Sequence, residues 1–527
     1  MTEFLERLQA DPVVMRDPQT LLFIRQLQSA HPIAAFHRKV LKHIGSDFTF
    51  AQADGGDGCW ASVIELNSEL QRLFGLNRGI LAYYAPDNDL QLKTFERLRA
   101  RRLGRPYHEH LYFLSTPDVY AEHKVSGWTL TEPYSVVLLP GRGSPEAAAR
   151  HLLTEMSRQV SRRNPYDRTN PVTGSEFYGR HRLLTDLVND LRQGHVCGVF
   201  GLRKTGKTSL VRELGRQFVK DDASNRVFIF LDLEVLPSDP DRQIPQLVSD
   251  IARQAHTSFK RAGMRTHELS RLPTYPTVGE LRQALQACLT HAASHDKTIV
   301  IALDEIESLV GPDATSTTEK PAVAEFLGAL RSLVQENANF NVVISGIALA
   351  PFTNATLYGR ENPLFAWARP FFVTALTRTD TDEMIRSIGA RMAVQWQGAA
   401  LKLLFDVTGG HVFLARLLAA AVSSELSFRI EERTVTEADV SARLRSWRRS
   451  TVGIIDSMLD ALARFYEEEL TIFDLGIAGT PFDDLEREYP NQINNLLALG
   501  LLEEKAGNLQ LTPWTRLSSR STPLTSH

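Results

Sequence analysis

Cysteine is scarce: three residues (Cys59, Cys197, Cys288) in a chain of 527. None of them forms a CxxC pair or a metal-ligand spacing, which excludes a disulfide scaffold and argues against structural zinc. No apolar run approaches the roughly 20 residues needed to span a bilayer. The opening "MTEFLERLQADPVV" has early acids and no apolar segment, unlike a secretory leader. A basic surplus is missing too. The formal net charge of -3 gives no global pull toward nucleic acid or an anionic membrane. These absences predict a cytoplasmic protein with no membrane attachment. What remains is globular in kind, with 43% hydrophobic and 23% charged residues. The length predicts about three or four domains.

The expected class is α/β, in several parts. Residues 1–161 open with helical patterns, followed by the apolar runs "GILAYYAP", "HLYFLSTP" and "YSVVLLPG" at helix-sized intervals. That spacing predicts a small three-layer, Rossmann-like α/β domain. Residues 162–176 are rich in Pro, Asn and Gly and read as a linker. Residues 177–375 alternate helix-like segments with "HVCGVFG", "RVFIFLDLE", "TIVIALDE", "FNVVISGIA" and "FFVTAL". Such continuous apolar runs predict a parallel sheet covered on both faces. Residues 376–449 read as a helical lid interrupted by "TGGH", and 450–520 as helices followed by a strand pair closed by Gly507-Asn508, the pattern of a winged helix; 521–527 form a tail.

Chemistry concentrates at "GLRKTGKTS", Gly201 to Ser209. Gly201-x4-Gly206-Lys207-Thr208 follows a strand and opens a helix, the context a phosphate-binding loop requires. Glycines let backbone N–H groups turn inward, and the helix N-terminus adds positive potential. Gly201, Leu202, Arg203, Lys204, Thr205, Gly206, Lys207, Thr208 and Ser209 are therefore expected to bind ATP or ADP. Lys207 should reach the β- and γ-phosphates, with the Thr208 hydroxyl on Mg²⁺. In "TIVIALDEIESL" a strand ends at Asp304-Glu305. Asp304 is expected on Mg²⁺. Glu305 is expected to polarise the attacking water, a plain helix N-terminal acid being the alternative. Glu307 reads as a solvated helix residue. Ser345, ending "NVVISG", is the candidate γ-phosphate sensor or else a turn residue.

With these residues placed, residues 170–450 resemble a P-loop ATPase of the STAND class, close to the archaeal-type ATPase family. "FYGRHRLLTDL" is similar to that family's adenine-side segment, which implies contacts from Phe177, Tyr178, Gly179 and Arg180. "ATLYGRENPLF" resembles a segment after the sensor strand and implies a phosphate-facing Arg360, acting within one chain or across a subunit interface. An exposed loop charge is the other reading of Arg360. "TGGHVFLARLLAAAV" resembles the lid motif. The chain departs from the family pattern at His181 and Val412, where an acid and a proline are usual.

The ends are less informative. The would-be reading helix "PNQINNLLALG" carries no Lys or Arg, so protein docking is favoured over DNA, although Asn491, Gln492, Asn494 and Asn495 leave base contacts open. The basic runs "RLRSWRR" and "RLRARRLGR" read as solvated helix faces and keep the nucleic-acid option open. Asp87 and Asp89 follow the first apolar run and read as caps of the next helix rather than nuclease acids. The whole predicts an Mg²⁺-dependent, slowly hydrolysing ATPase switch. It would couple nucleotide state to a protein partner through the N-terminal domain or winged helix, and to nucleotide-dependent self-assembly. A DNA-engaging ATPase or a controller of an N-terminal nuclease are the alternatives.

Overall fold

The computed structural model of the protein describes the chain apart from residues 1, 16, 54–57, 77, 101–106, 133, 163, 168–169, 312–320, 348–351, 353–355, 358–359, 363–364 and 522–527. Part of "RLRARRLGR" therefore lies outside the described residues. The chain forms two compact units.

The first unit comprises Met1–Arg168, Asp382–Leu404 and Arg416–Trp447. Its sheet has five strands, β1 (Asp47–Ala53), β2 (Trp60–Glu65), β3 (Ile80–Tyr84), β4 (Leu111–Ser115) and β5 (Ser135–Leu138), in that spatial order. The last three are the expected apolar runs and pair in parallel. β1 and β2, which the sequence reading passed over, pair antiparallel at one edge. A register shift between Phe48 and Phe50 breaks the alternation by which β1 would have been recognised. The strands follow chain order without the reversal that makes a ligand crevice in a doubly wound sheet.

Alternation along β3 explains the layering. Ile80, Ala82 and Tyr84 join one buried cluster with Ile24, Leu27, Val40, Leu152 and Met156 of three helices. Leu81 and Tyr83 join the opposite cluster with Phe95 and Trp128. Both faces are covered, so the strands read as unbroken apolar runs. Within the segment expected as linker, the buried Tyr166 donates through Oη to Ile385 O at 2.6 Å and accepts from Trp396 Nε1 at 2.9 Å. Arg433, equally buried, donates to Met392 O, Ser427 O and Ser161 Oγ at 3.1, 2.7 and 2.8 Å.

The second unit comprises Thr169–Thr381, Phe405–Ala415 and Arg448–His527. Its strands are β6 (Cys197–Phe200), β7 (Arg226–Asp232), β8 (Thr298–Asp304), β9 (Phe340–Gly346), the short pair β10 (Thr356–Leu357) and β11 (Arg360–Glu361), and β12 (Arg369–Phe372). The main sheet runs β12-β6-β9-β8-β7, all parallel. β9 inserts between β6 and β8, so the phosphate loop and the ends of β9 and β8 lie side by side on one carboxyl edge. Of helix Glu437–Phe465, residues 448–465 belong to this unit, followed by helices Glu467–Ile477, Phe482–Glu488 and Pro490–Ala498. The hairpin Leu502–Lys505/Asn508–Leu511 is present, but its two-residue turn is Ala506-Gly507, with φ of 53° and 77°; Asn508 is already in the strand.

Candidate active site

The phosphate loop joins β6 to helix Lys207–Asp221. Gly206 has φ of 94°, and a Cβ there would meet Arg180 Nη1 at 2.9 Å. The left-handed φ is what favours glycine here. Lys204, exposed at the loop tip, holds φ of 63° and sets its ammonium 5.4 Å above the Phe413 ring. Arg203 is exposed and Leu202 buried. Lys207 is only 4% exposed, and its Nζ donates to Leu202 O at 3.2 Å. Thr205 Oγ1 donates to the same carbonyl at 2.8 Å. The Ser209 hydroxyl is engaged elsewhere, accepting from Val172 N at 3.1 Å.

Asp304 lies at the end of β8, 1% exposed, with Oδ1 lacking a hydrogen-bond partner. Burial raises its pKa; the Ser345 and Thr208 hydroxyls facing the carboxylate pull it back down, and Lys207 adds to that. Ser345 Oγ, fully buried at the end of β9, also lacks a regular hydrogen bond. Two oriented, unsatisfied oxygens beside a threonine hydroxyl and a buried lysine form a receptive polar site, because buried polar groups otherwise find partners.

Glu305 departs from the strand with φ of 57°, a left-handed conformation that is uncommon outside glycine. Burial, then a hydrogen bond with Glu307, push its carboxyl up to about 7, with Lys207 acting in the opposite direction. Glu307 itself corrects the sequence reading. It is buried rather than solvated, and its Oε2 accepts from Ile347 N at 3.1 Å. The turn carries two acids pointing inward, and helical spacing alone could not distinguish Glu307 from a surface residue.

The segment expected at the base is split by the fold. Phe177 belongs to the buried cluster with Leu184, Leu187, Val211 and Val373. Tyr178 is half-buried. Gly179 has φ of 65°, and a Cβ there would lie 2.9 Å from Asp380 and Leu376 atoms. Arg180, φ 58°, turns its guanidinium onto the phosphate loop, where Nη2 donates to Thr205 O at 2.7 Å and Thr374 O at 2.8 Å. Burial lowers its pKa to about 10, and nearby Asp380 favours the charge. Arg180 is thus a brace of the loop backbone, a role the sequence reading missed. His181 begins helix His181–Arg192 and Val412 begins helix Val412–Ser423, which starts 3.9 Å from the Cβ position of Gly206. Arg360 contributes backbone to β11, paired with Leu357; its side chain lies outside the described residues.

Residues 176–344 match the family of the AAA ATPase domain. The matched segment carries the P-loop ATPase fold. Among solved structures, the Walker-type ATPase of Pyrococcus abyssi is similar at 15% identity and TM-score 0.48, covering 67% of this chain and 98% of that one. The ORC2 protein of Aeropyrum pernix, in ADPNP-ADP complexes, gives 15% identity and TM-score 0.45 over 67% and 94% of the two chains. The Holliday junction branch migration motor RuvB of Thermotoga maritima gives 14%, TM-score 0.32, and 66% and 96%. No curated protein matches.

Elsewhere, the Asp89 carboxylate, read from the sequence as a helix cap, engages two side chains. It pairs with Lys124, which also donates to Asp118 at 2.7 Å, and it accepts from Gln91 Nε2 at 2.9 Å. In helix Pro490–Ala498, Gln492 donates to Glu468 Oε2 at 2.7 Å and Asn495 to Glu469 Oε1 at 2.6 Å. Two of the four side chains considered for base reading already serve acidic partners. Among the described residues, no helix is long and apolar enough to cross a membrane.

Proposed function

We propose that the protein is a magnesium-dependent ATP hydrolase that works as a switch of the STAND kind. The observation that carries the reading is the set of buried, incompletely satisfied oxygens of Asp304 and Ser345 beside Lys207 and the phosphate loop. The match of residues 176–344 to the AAA ATPase domain supports it. The Gly201–Ser209 loop, through backbone N–H groups beyond that of Gly201, and the Lys207 ammonium bind the phosphates, and Tyr178, Gly179 and Arg180 border the base. Asp304 and Thr208 offer hard oxygen ligands suited to Mg²⁺, which would neutralise phosphate charge when bound. Glu305 accepts a proton from water as its oxygen bonds to the γ-phosphorus. The bond to the β,γ-bridging oxygen breaks, leaving ADP and inorganic phosphate. Ser345 senses the γ-phosphate, and Arg360 stabilises its developing charge from the same chain or a neighbour.

In this reading residues 1–161 form the partner-binding or effector part, and residues 376–449 and 450–520 act as lid and winged helix in a cytoplasmic protein. The acidic partners of Gln492 and Asn495 favour protein docking over DNA for the last part. Mass in solution with ADP and with a slowly hydrolysed ATP analogue tests the switch. A nucleotide-dependent change in assembly, compactness or co-purifying protein is expected; identical behaviour in both states contradicts it. DNA affinity that falls steeply with salt would favour the nucleic-acid alternative.

A further inference from the structure

The end of β9 is held from four directions within three residues. Ser345 O accepts from Ile306 N at 2.9 Å, in the acidic turn. Gly346 O accepts from Gly201 N at 3.3 Å, the first residue of the phosphate loop. Ile347 N donates to Glu307 Oε2 at 3.1 Å. Ile347 O accepts from Tyr466 Oη at 2.8 Å. Gly346 leaves no room for adjustment: a Cβ would lie 2.3 Å from Glu307 Oε2 and 2.8 Å from Ile306 Cγ2. Phosphate loop, catalytic turn and sensor strand therefore meet in one short backbone segment.

The fourth tie reaches into the C-terminal part of the unit. Tyr466 separates helix Glu437–Phe465 from helix Glu467–Ile477, with φ of -147° at the break. Its N–H bonds Leu462 O at 2.7 Å and its carbonyl accepts from Leu470 N at 2.9 Å, so it is fixed to both helices. Any buried tyrosine hydroxyl needs a partner, and most carbonyls would serve. What distinguishes this one is that the same residue, Ile347, is gripped through its N–H by Glu307, two residues beyond Glu305. A shift of the C-terminal helices that draws Tyr466 away releases one side of that grip.

We infer that Tyr466 is a positioning residue for ATP hydrolysis, through which the C-terminal helices set the geometry of the acidic turn by way of Ile347 and Glu307. The inference rests on the ATPase reading above. It makes the C-terminal helices part of the catalytic apparatus without their touching nucleotide.

Tyr466→Phe removes one hydroxyl and keeps the ring. Loss of a single hydrogen bond that orients a catalytic group should lower kcat about three- to ten-fold. Affinity for ATP and KM should stay within about two-fold, because no phosphate ligand has changed. Hydrogen exchange at the Ile347 amide should quicken in nucleotide-free Tyr466→Phe. Glu307→Gln, which keeps an oxygen acceptor for Ile347 N, should retain more turnover than Glu307→Ala. Parental kcat and amide protection in Tyr466→Phe would overturn the inference alone, as would a loss appearing only in thermal stability or KM. A parent chain that binds ATP but never hydrolyses it would overturn the ATPase reading and this inference together.

Discussion

Replacing Lys207 with alanine should remove most of the nucleotide affinity while leaving the empty fold intact. The Lys207 ammonium sits buried against the loop, 3.2 Å from Leu202 O, where no solvent screens it. Placed on the β- and γ-phosphates it would make two charge-assisted hydrogen bonds, each worth about 1.5–3 kcal/mol. Together these come to about 3–6 kcal/mol, or a 10²- to 10⁴-fold rise in Kd. The nucleotide-free protein loses little, because Thr205 Oγ1 also donates to Leu202 O and keeps that buried carbonyl satisfied. Titration calorimetry would give the affinity. Thermal unfolding with and without ADP would give the linkage, about 2.7 kcal/mol at a hundred-fold excess over Kd for the parent and near zero for Lys207→Ala. Equal affinity in the two proteins would refute the phosphate-loop assignment. A large loss of stability without nucleotide would refute the argument that Thr205 suffices.

If Arg360 stabilises the transition state, Arg360→Ala should slow turnover by on the order of 10³-fold with little change in binding. Mixing it with Glu305→Gln should restore some activity if it acts across an interface; normal turnover alone and in the mixture would return Arg360 to the surface. His411, buried against Trp514 at 5.1 Å, is held neutral down to about 3, chiefly by burial and then by Arg180. The unfolded chain takes up this proton first, so stability present above the unfolded value near 6.5 is lost as pH falls. The slope is about 1.4 kcal/mol per pH unit until the folded value is reached. Urea unfolding between pH 5 and 7.5 should show a shallower pH dependence for His411→Gln than for the parent, and parallel curves would count against this.

The phosphate loop could be read from the chain because its chemistry is local: glycines, lysine and threonine act through spacing within one strand–loop–helix. The end of β8 at Asp304-Glu305 was readable for the same reason, as the stop of an unbroken apolar strand. Glu307 was not, since three residues past the strand its exposure depends on β9 arriving alongside, a pairing between residues about forty apart. The brace from Arg180 to the loop could not be read, because its contact with Thr205 O crosses 25 residues and needs the left-handed turn at Gly179-Arg180. β1 escaped because a bulge interrupts its alternation, and the hairpin turn was misplaced by one residue because Ala506, not Asn508, takes the left-handed φ. Tyr466 carries no motif at all; only the folded chain brings it to Ile347.

If Glu305 is the base in ATP hydrolysis, as proposed, single-turnover hydrolysis of ATP by Glu305→Gln, beside its affinity for ATP with Mg²⁺, will reveal it. The substitution keeps the side chain's length and polarity and removes its basicity. ATP should be bound with near-parental affinity and hydrolysed roughly 10²- to 10⁴-fold more slowly. Hydrolysis at the parental rate would contradict the account, reducing Glu305 to a structural acid at the head of its turn.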